Sequence, residues 1–154
     1  MTALTNSPAD VVRYALIAGG LGTLPLSEGL WPIFAWQEPD QPDDVVTVYD
    51  TSGVVQGRSH NDGQVLEHYG VQIRVRTSIP KNGNTKIRAI LEFLDRTINQ
   101  TVVNVPYDTG TGYSVYCIHA VSRSGTILSL GKDTPTTKRT LFTVNVSVSL
   151  SQKY

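Results

Sequence analysis

The sequence predicts an α+β fold in which a mostly antiparallel β-sheet packs against two α-helices in a single domain. Residues 69–77 alternate apolar and polar side chains, as a half-buried strand does. From Ile87 to Ile98 the apolar residues recur at the spacing of an amphipathic helix. Helical and strand patterns do not alternate strictly along the chain, which favours an antiparallel sheet over repeated parallel crossovers.

The composition is that of one weakly charged domain spanning residues 1–154. Thirteen basic residues balance 13 acidic ones, and charged residues make up 17% of the chain. We therefore expect no net field that would attract nucleic acid, and no sequence-specific nucleic-acid binding. A surface rich in Ser and Thr and poor in charge favours a protein that works with its surface covered by partners.

Cysteine content and hydropathy indicate the redox environment of the protein and whether it spans a membrane. Cys117 is the single cysteine and lies in an apolar run, which predicts a buried thiol and excludes an intramolecular disulfide. The apolar segment 15–26 is interrupted by glycines and a proline and is shorter than the ~20 residues of a membrane helix. The first residues also lack the basic start of a secretory signal. We expect no membrane span, and a protein made and used inside a cell or in a particle assembled there.

The N-terminal half begins with a capped helix. Ser7 suits the N-cap and Pro8 the first helical position, so a helix is predicted from there to about Gly19. The glycine-rich run that follows ends this helix; a phosphate-binding loop would instead follow a strand, so no cofactor is predicted. Residues 31–36 predict a strand, which Pro32 would confine to a sheet edge or to a strand start, and residues 45–50 predict a second strand.

The remaining elements are predicted from the same strand alternation and helical spacing. The segment 51–68 lacks periodicity and predicts a long loop. Residues 80–84 predict a loop before the second helix, and residues 101–105, 113–124 and 140–150 predict three strands. Both faces of 113–124 are fairly apolar, which predicts a central strand.

No group of residues carries a recognisable catalytic or metal-binding pattern. Residues 59–62 contain Ser, His and Asp, but they lie too close together for a catalytic relay and lack a nucleophile elbow. The carboxylates of the turn at 38–44 do not follow calcium-loop spacing. His119 has no second His or Cys at metal-ligand spacing, so a packed, hydrogen-bonded role is expected. The enzyme alternative is a small metal-dependent enzyme that uses Asp44, Asp50 and Glu67.

Five segments in a fixed order resemble the tail terminator family of long-tailed bacteriophages, also known as tail completion or minor capsid proteins. They are the opening helix 8–18, the acidic turn and strand 39–50, the strand 69–76, the helix 87–94, and the ending formed by 130–133 and 139–148. Together they cover most of the chain. The segment 54–67 carries no family signal.

The resemblance implies a structural protein without catalytic residues. Such proteins form a six-membered ring on the end of the completed tail tube, stop its polymerisation, and offer the docking surface for the head connector. The implied partners are other copies of the chain, the tail tube protein and the connector, with DNA able to pass through the ring. The implied location is the virion neck, assembled in the host cytoplasm. A head-closure or adaptor protein and a tail tube subunit are the alternatives.

A heterologous ring contact joins two different patches of one subunit, so complementary charges are expected on separate elements. Gln72, Arg74 and Arg76 occupy the polar face of the strand 69–77 and are predicted to face water or a partner. The remaining candidate interface residues are the turn and strand carboxylates and two residues of the predicted loop, namely Asp40, Asp43, Asp44, Asp50, Arg58 and His60. The alternative is that these are ordinary solvated charges.

Overall fold

The computed structural model describes residues 4–25, 28–58, 65–96, 101–107, 112–123, 125–132 and 138–153, with the backbone alone at 54–58 and 65–67. These ranges contain two helices and seven strands. In chain order they are α1 (Pro8–Ala18), β1 (Ile33–Ala35), β2 (Val45–Arg58), β3 (Val65–Thr77), α2 (Pro80–Arg96), β4 (Thr101–Val105), β5 (Ser114–Arg123), β6 (Leu128–Lys132) and β7 (Thr140–Lys153).

The strands form one sheet in the order β1-β2-β3-β7-β5-β4, and β6 also pairs with β7. The β1–β2 pair is parallel, and the other described pairs are antiparallel. Helix α1 contacts β1, β2 and β3 near one edge and β4 at the other, because the sheet curls around it. The predicted mixture of helices and sheet in one domain is confirmed, but the sheet is a curled half-barrel of mixed pairing.

The hydrophobic core lies between the two helices and one face of the sheet. Both helices bury their apolar stripes there, and alternate residues of the strands meet them. The fully buried core residues include Val11, Val12, Leu16, Ile33, Val46, Val48, Val71, Ile73, Val75, Ile87, Ile90 and Val148. Burial of apolar area at roughly 25 cal/mol per Å² makes this face the main source of stability. We call the opposite surface of the sheet the outer face.

Local sequence explains where both helices begin. Helix α1 begins where the sequence predicts, and helix α2 begins earlier than predicted. The Ser7 hydroxyl accepts the backbone N–H of Asp10 at 3.2 Å, so α1 begins as expected. Helix α2 begins at Pro80, so the predicted loop at 80–84 is wrong. The turn-like Gly83 belongs to this helix because α2 passes close to the sheet there: a Cβ would lie 2.5 Å from Cγ2 of Thr77. Proline suits the first turn of a helix.

The predicted long loop at 51–68 is also wrong for most of its length. Strand β2 continues to Arg58 and β3 starts at Val65, with irregular register between Thr51 and Val54 and again between Val55 and Arg58. These bulges break the alternation that the sequence would need to reveal a strand. Gly53 permits the close approach at the first bulge, where a Cβ would lie 2.5 Å from the carbonyl oxygen of His68.

Strands β2 and β3 continue beyond their pairing with β7 as a two-stranded ribbon. In the described pairings β7 meets β3 from Tyr69 to Thr77, whereas Val54, Val55 and Arg58 of β2 still pair with residues 65–68. Those four residues of β3 correspond to about 13 Å of strand. Neither helix of the described chain has the length and apolar content that a membrane span requires.

Three further predictions concern single elements. The short strand β1 lies at an edge of the sheet, as Pro32 predicted, and Cys117 is buried. The central position belongs to β7, which lies between β3 on one side and β5 and β6 on the other. Strand β5 lies between β7 and the edge strand β4, so the strand predicted at 113–124 has the neighbour on each side that a central strand requires.

Candidate interaction site on the outer face

Five of the candidate charges, those of Asp40, Asp43, Asp44, Arg74 and Arg76, lie where a turn crosses the outer face. Outward-pointing side chains of β2, β3 and β7 lie side by side there, since Thr47 is paired with Arg74 and Arg74 with Thr143. The acidic turn, defined as residues 38–44, leads into β2 and lies over one end of this face. We call that end the covered end.

Two buried arginines hold the acidic turn by its backbone. Nη2 of Arg76 donates to the carbonyl oxygens of Pro39, Asp40 and Pro42 at 2.6, 3.2 and 2.9 Å. Nη1 of Arg139 donates to the carbonyl oxygen of Asp40 at 2.7 Å. Arg76 is only 2% exposed. The prediction that Arg76 faces water or a partner is therefore wrong, because the turn of its own chain occupies that side.

Glu38 supplies the counter-charge beneath the turn. Its Oε2 lies 3.6 Å from Nη1 of Arg76 and 3.9 Å from Nη1 of Arg74. The Arg74 guanidinium also lies over the Tyr49 ring, 5.4 Å from its centroid. Burial and the nearby Glu38 carboxylate raise the pKa of the Tyr49 hydroxyl above its ordinary value, and Arg74 partly opposes this shift. The covered end is thus a compact ion-pair cluster internal to the subunit.

Two of the predicted interface carboxylates also serve the fold. Oδ1 of Asp44 accepts the Thr77 hydroxyl at 2.6 Å and the Ser78 N–H at 3.3 Å, which joins the start of β2 to the end of β3. Asp50 joins α1 to the sheet: its Oδ1 accepts the Ala9 N–H at 2.8 Å, and its Oδ2 accepts the Trp36 indole N–H at 3.0 Å. A carboxylate at a helix N-terminus also complements the helix dipole.

The carboxyl group of Asp10, beside Asp50, is also partly buried at the start of α1. Burial raises the pKa of Asp10 above its usual value, the Asp50 carboxylate adds to the rise, and Arg13 opposes it. Nη1 of Arg13 lies 3.7 Å from the Asp10 carboxylate. Together with the bonds of Asp50, this arrangement anchors the helix to the sheet.

The other predicted residues are exposed carboxylates, an amide bonded to the next strand, and two residues whose side chains lie outside the described part of the chain. The Asp40 side chain is 98% exposed and that of Asp43 is 47% exposed, although each carboxylate has an Arg139 nitrogen within 4 Å. Gln72 donates to the Asn145 side-chain oxygen at 3.2 Å. The side chain of Arg58 and the whole of His60 lie outside the described residues.

Glu38 and Arg139 complete the cluster but were missed as site residues. The useful signal was modest: Arg139 immediately precedes a strongly alternating strand, and Glu38 begins the acidic turn. Neither position has a local reason to meet Arg76, since the partners lie 38 and 63 residues away in sequence. Pairing of β3 with β2 on one side and with β7 on the other brings these regions together.

No group of three or more His, Cys, Asp or Glu within the described part of the chain could hold a metal ion. Asp44, immediately before β2, and Asp50, on β2, are six positions apart, about 20 Å of extended chain. The Glu67 side chain lies outside the described residues. His119 forms the expected hydrogen bond, with 2.7 Å between its Nε2 and the Ser151 hydroxyl oxygen, but it is exposed instead of packed.

Comparison with known proteins identifies no family for this chain. No protein-family model and no curated protein sequence matches the chain.

Proposed function

We propose that this protein is a structural subunit of the neck of a long-tailed bacteriophage, a tail terminator that assembles into a ring, six-membered by resemblance, on the end of the tail tube. The resemblance of five ordered segments supports the assignment to this class. The single structural observation that carries it is the β2–β3 ribbon, which continues beyond the pairing with β7 and suits a contact with another subunit.

The ribbon needs a neighbour for physical reasons. A two-stranded ribbon is marginally stable in water, and its outer edges present backbone N–H and C=O groups that can pair with another chain. Contact with an adjacent subunit would cover these groups. A ribbon on one side of a subunit and a receiving surface on another side make a heterologous contact, which closes into a ring when the rotation allows.

Exposed apolar side chains at other sheet edges favour the same conclusion. Leu128 and Leu130 on β6 are 51% and 48% exposed, and Val102 on the edge strand β4 is 49% exposed. Apolar groups on edge strands are typical of surfaces that meet a partner. The tail tube protein and the head connector are the further partners that the proposal assigns.

Native mass spectrometry and negative-stain imaging of the purified protein test ring formation. The wild-type chain should form a closed ring of about six copies, the size that the resemblance implies. A variant lacking residues 54–67 joins Gly53 to His68, next to the Thr51–Gly70 pair. This variant should stay monomeric while it keeps the circular dichroism of the intact domain. A wild-type protein that stays monomeric at all accessible concentrations would contradict the proposal.

Lysates of a phage with a nonsense mutation in this gene separate the neck alternatives. Loss of a terminator should give overlong tails without heads. Normal tails beside leaking heads would instead indicate a head-closure or adaptor protein, and the absence of tails would indicate a tube subunit.

A further inference from the structure

The acidic turn presents the Asp40 carboxylate almost fully to solvent because the turn is held through its backbone. Arg76 and Arg139 bind carbonyl oxygens of the turn, while the Asp40 side chain remains 98% exposed. The turn contains four carboxylates, and three arginines, Arg74, Arg76 and Arg139, lie against it. It therefore carries a net charge of −1 at a position fixed by buried side chains.

A cleft of about 300 Å³ lies on the opposite side of the sheet, between α2 and the end of β5. Its apolar lining comes from Leu91 and Ile127. Its charged lining consists of the three cations Arg88, Arg96 and Arg123 and the two carboxylates of Glu92 and Asp95. Glu92 is paired with Arg96. The cleft therefore carries a net charge of +1.

We infer that the acidic turn of one copy docks in this cleft of the next copy, with Asp40 directed to Arg123 and Arg88. This inference rests on the proposed ring function and specifies its contact. Within one subunit the turn and the cleft cannot meet, because the turn lies on the outer face and the cleft on the helix side. Opposite charges on opposite sides of one subunit are what a head-to-tail ring contact requires.

The turn–cleft contact sets orientation more than affinity. Exposed ion pairs contribute roughly 0.2–1 kcal/mol each and are screened by salt. The β2–β3 ribbon supplies main-chain pairing, and the charges select which sides of two subunits face each other. Assembly should therefore weaken as sodium chloride is raised from about 0.05 M to about 0.5 M, where the Debye length is much shorter.

Charge reversal tests the pairing. Asp40→Lys sets a cationic turn against a cationic cleft, and Arg123→Glu sets an acidic turn against a cleft whose net charge has become −1. Each variant alone should need about ten-fold more protein to assemble than wild type, because like charges at an interface are unfavourable. An equimolar mixture should restore assembly to within about three-fold of wild type, because both contacts then join opposite charges. A chain with both changes should behave like the mixture.

Matched controls are Glu28→Lys and Lys153→Glu, which reverse exposed charges at other places. Both should assemble like wild type, and thermal unfolding of every variant should confirm an intact fold. Rings that form equally well in Asp40→Lys and Arg123→Glu would overturn the inference and leave the ring proposal standing. The same holds if the mixture fails to restore assembly. A wild-type chain that forms no ring overturns both.

Site-directed cross-linking gives a second measurement. In a Cys117→Ser background, Asp40→Cys and Arg123→Cys in one chain should give a ladder of covalent oligomers with a short bismaleimide reagent. The matched chain with Glu28→Cys and Lys153→Cys should give none. A ladder from the control pair alone would overturn the turn–cleft contact.

Discussion

The two ends of the outer face differ although the same strands form both. At the covered end, Arg76 and Arg139 are nearly inaccessible and bind the acidic turn. At the other end, which we call the bare end, the outward residues are small or uncharged and partly exposed, namely Gln72, Asn145, Ser147 and Ser149. An alternating strand therefore decides which side chains share a face, whereas another part of the chain decides whether that face meets water.

Among the substitutions that compare the two ends, Arg76→Met should lower the free energy of unfolding the most. It removes three hydrogen bonds to the turn and leaves the Glu38 carboxylate, whose side chain is 13% exposed, with Arg74 as its remaining arginine. Breaking a buried charge pair costs roughly 3–5 kcal/mol. Urea denaturation should show a loss in that range for the free energy of unfolding.

Gln72→Met is the matched change on the same strand at the bare end. It removes one partly exposed amide hydrogen bond, to Asn145, and should cost less than about 1.5 kcal/mol. Equal losses in the free energy of unfolding for Arg76→Met and Gln72→Met would contradict the inference that the acidic turn makes the covered end contribute more to stability than the bare end.

Asp44→Ala should have an intermediate effect. Two donors, the Thr77 hydroxyl and the Ser78 N–H, lose their carboxylate partner. Hydrogen bonds to charged groups contribute about 1.5–3 kcal/mol, so the free energy of unfolding should fall by that amount. Asp43→Ala, at a half-exposed position of the same turn, should change it by less than about 0.5 kcal/mol. A larger loss for Asp43→Ala than for Asp44→Ala would contradict the assignment.

Tyr49→Phe should have the smallest effect and should show it only at high pH. The pKa of Tyr49 is raised in the folded protein above its ordinary 10.0, so folding favours the neutral phenol. That contribution is fully present below pH 10.0 and is lost as the pH rises through the folded-state pKa. Stability measured by urea denaturation between pH 8 and pH 11 should therefore fall less in Tyr49→Phe than in wild type. Parallel curves for the two proteins would contradict this prediction.

Much of the fold could be predicted because its signals are local. The Ser7 cap, the helical stripe from Ile87 and the alternation of residues 69–77 and 140–150 all depend on neighbours within a few positions. The errors occur where local signals conflict with packing. Asn and Gly at 82–84 read as a loop, but Gly83 is needed for contact between helix and sheet. Bulges at 51–58 hide the ribbon.

The site was less predictable than the fold for a related reason. The sequence shows that Asp44, Asp50 and Arg76 are charged, but it does not show what they bind. Each is bonded to a donor or acceptor more than 10 residues away in the chain. A buried ion pair and a solvated charge look the same in an alternating pattern.

For this protein the sequence by itself determined the class of fold, the face on which each strand residue lies, and a near-neutral, sparsely charged composition. Tertiary structure alone decided that the acidic turn covers Arg76, leaves Asp40 exposed, and lies on the side opposite the arginine cleft. The physical reason is the distance along the chain over which each effect acts. Side-chain alternation and helix capping act over a few residues, whereas burial of a charge depends on a segment that strand pairing brings from far along the chain.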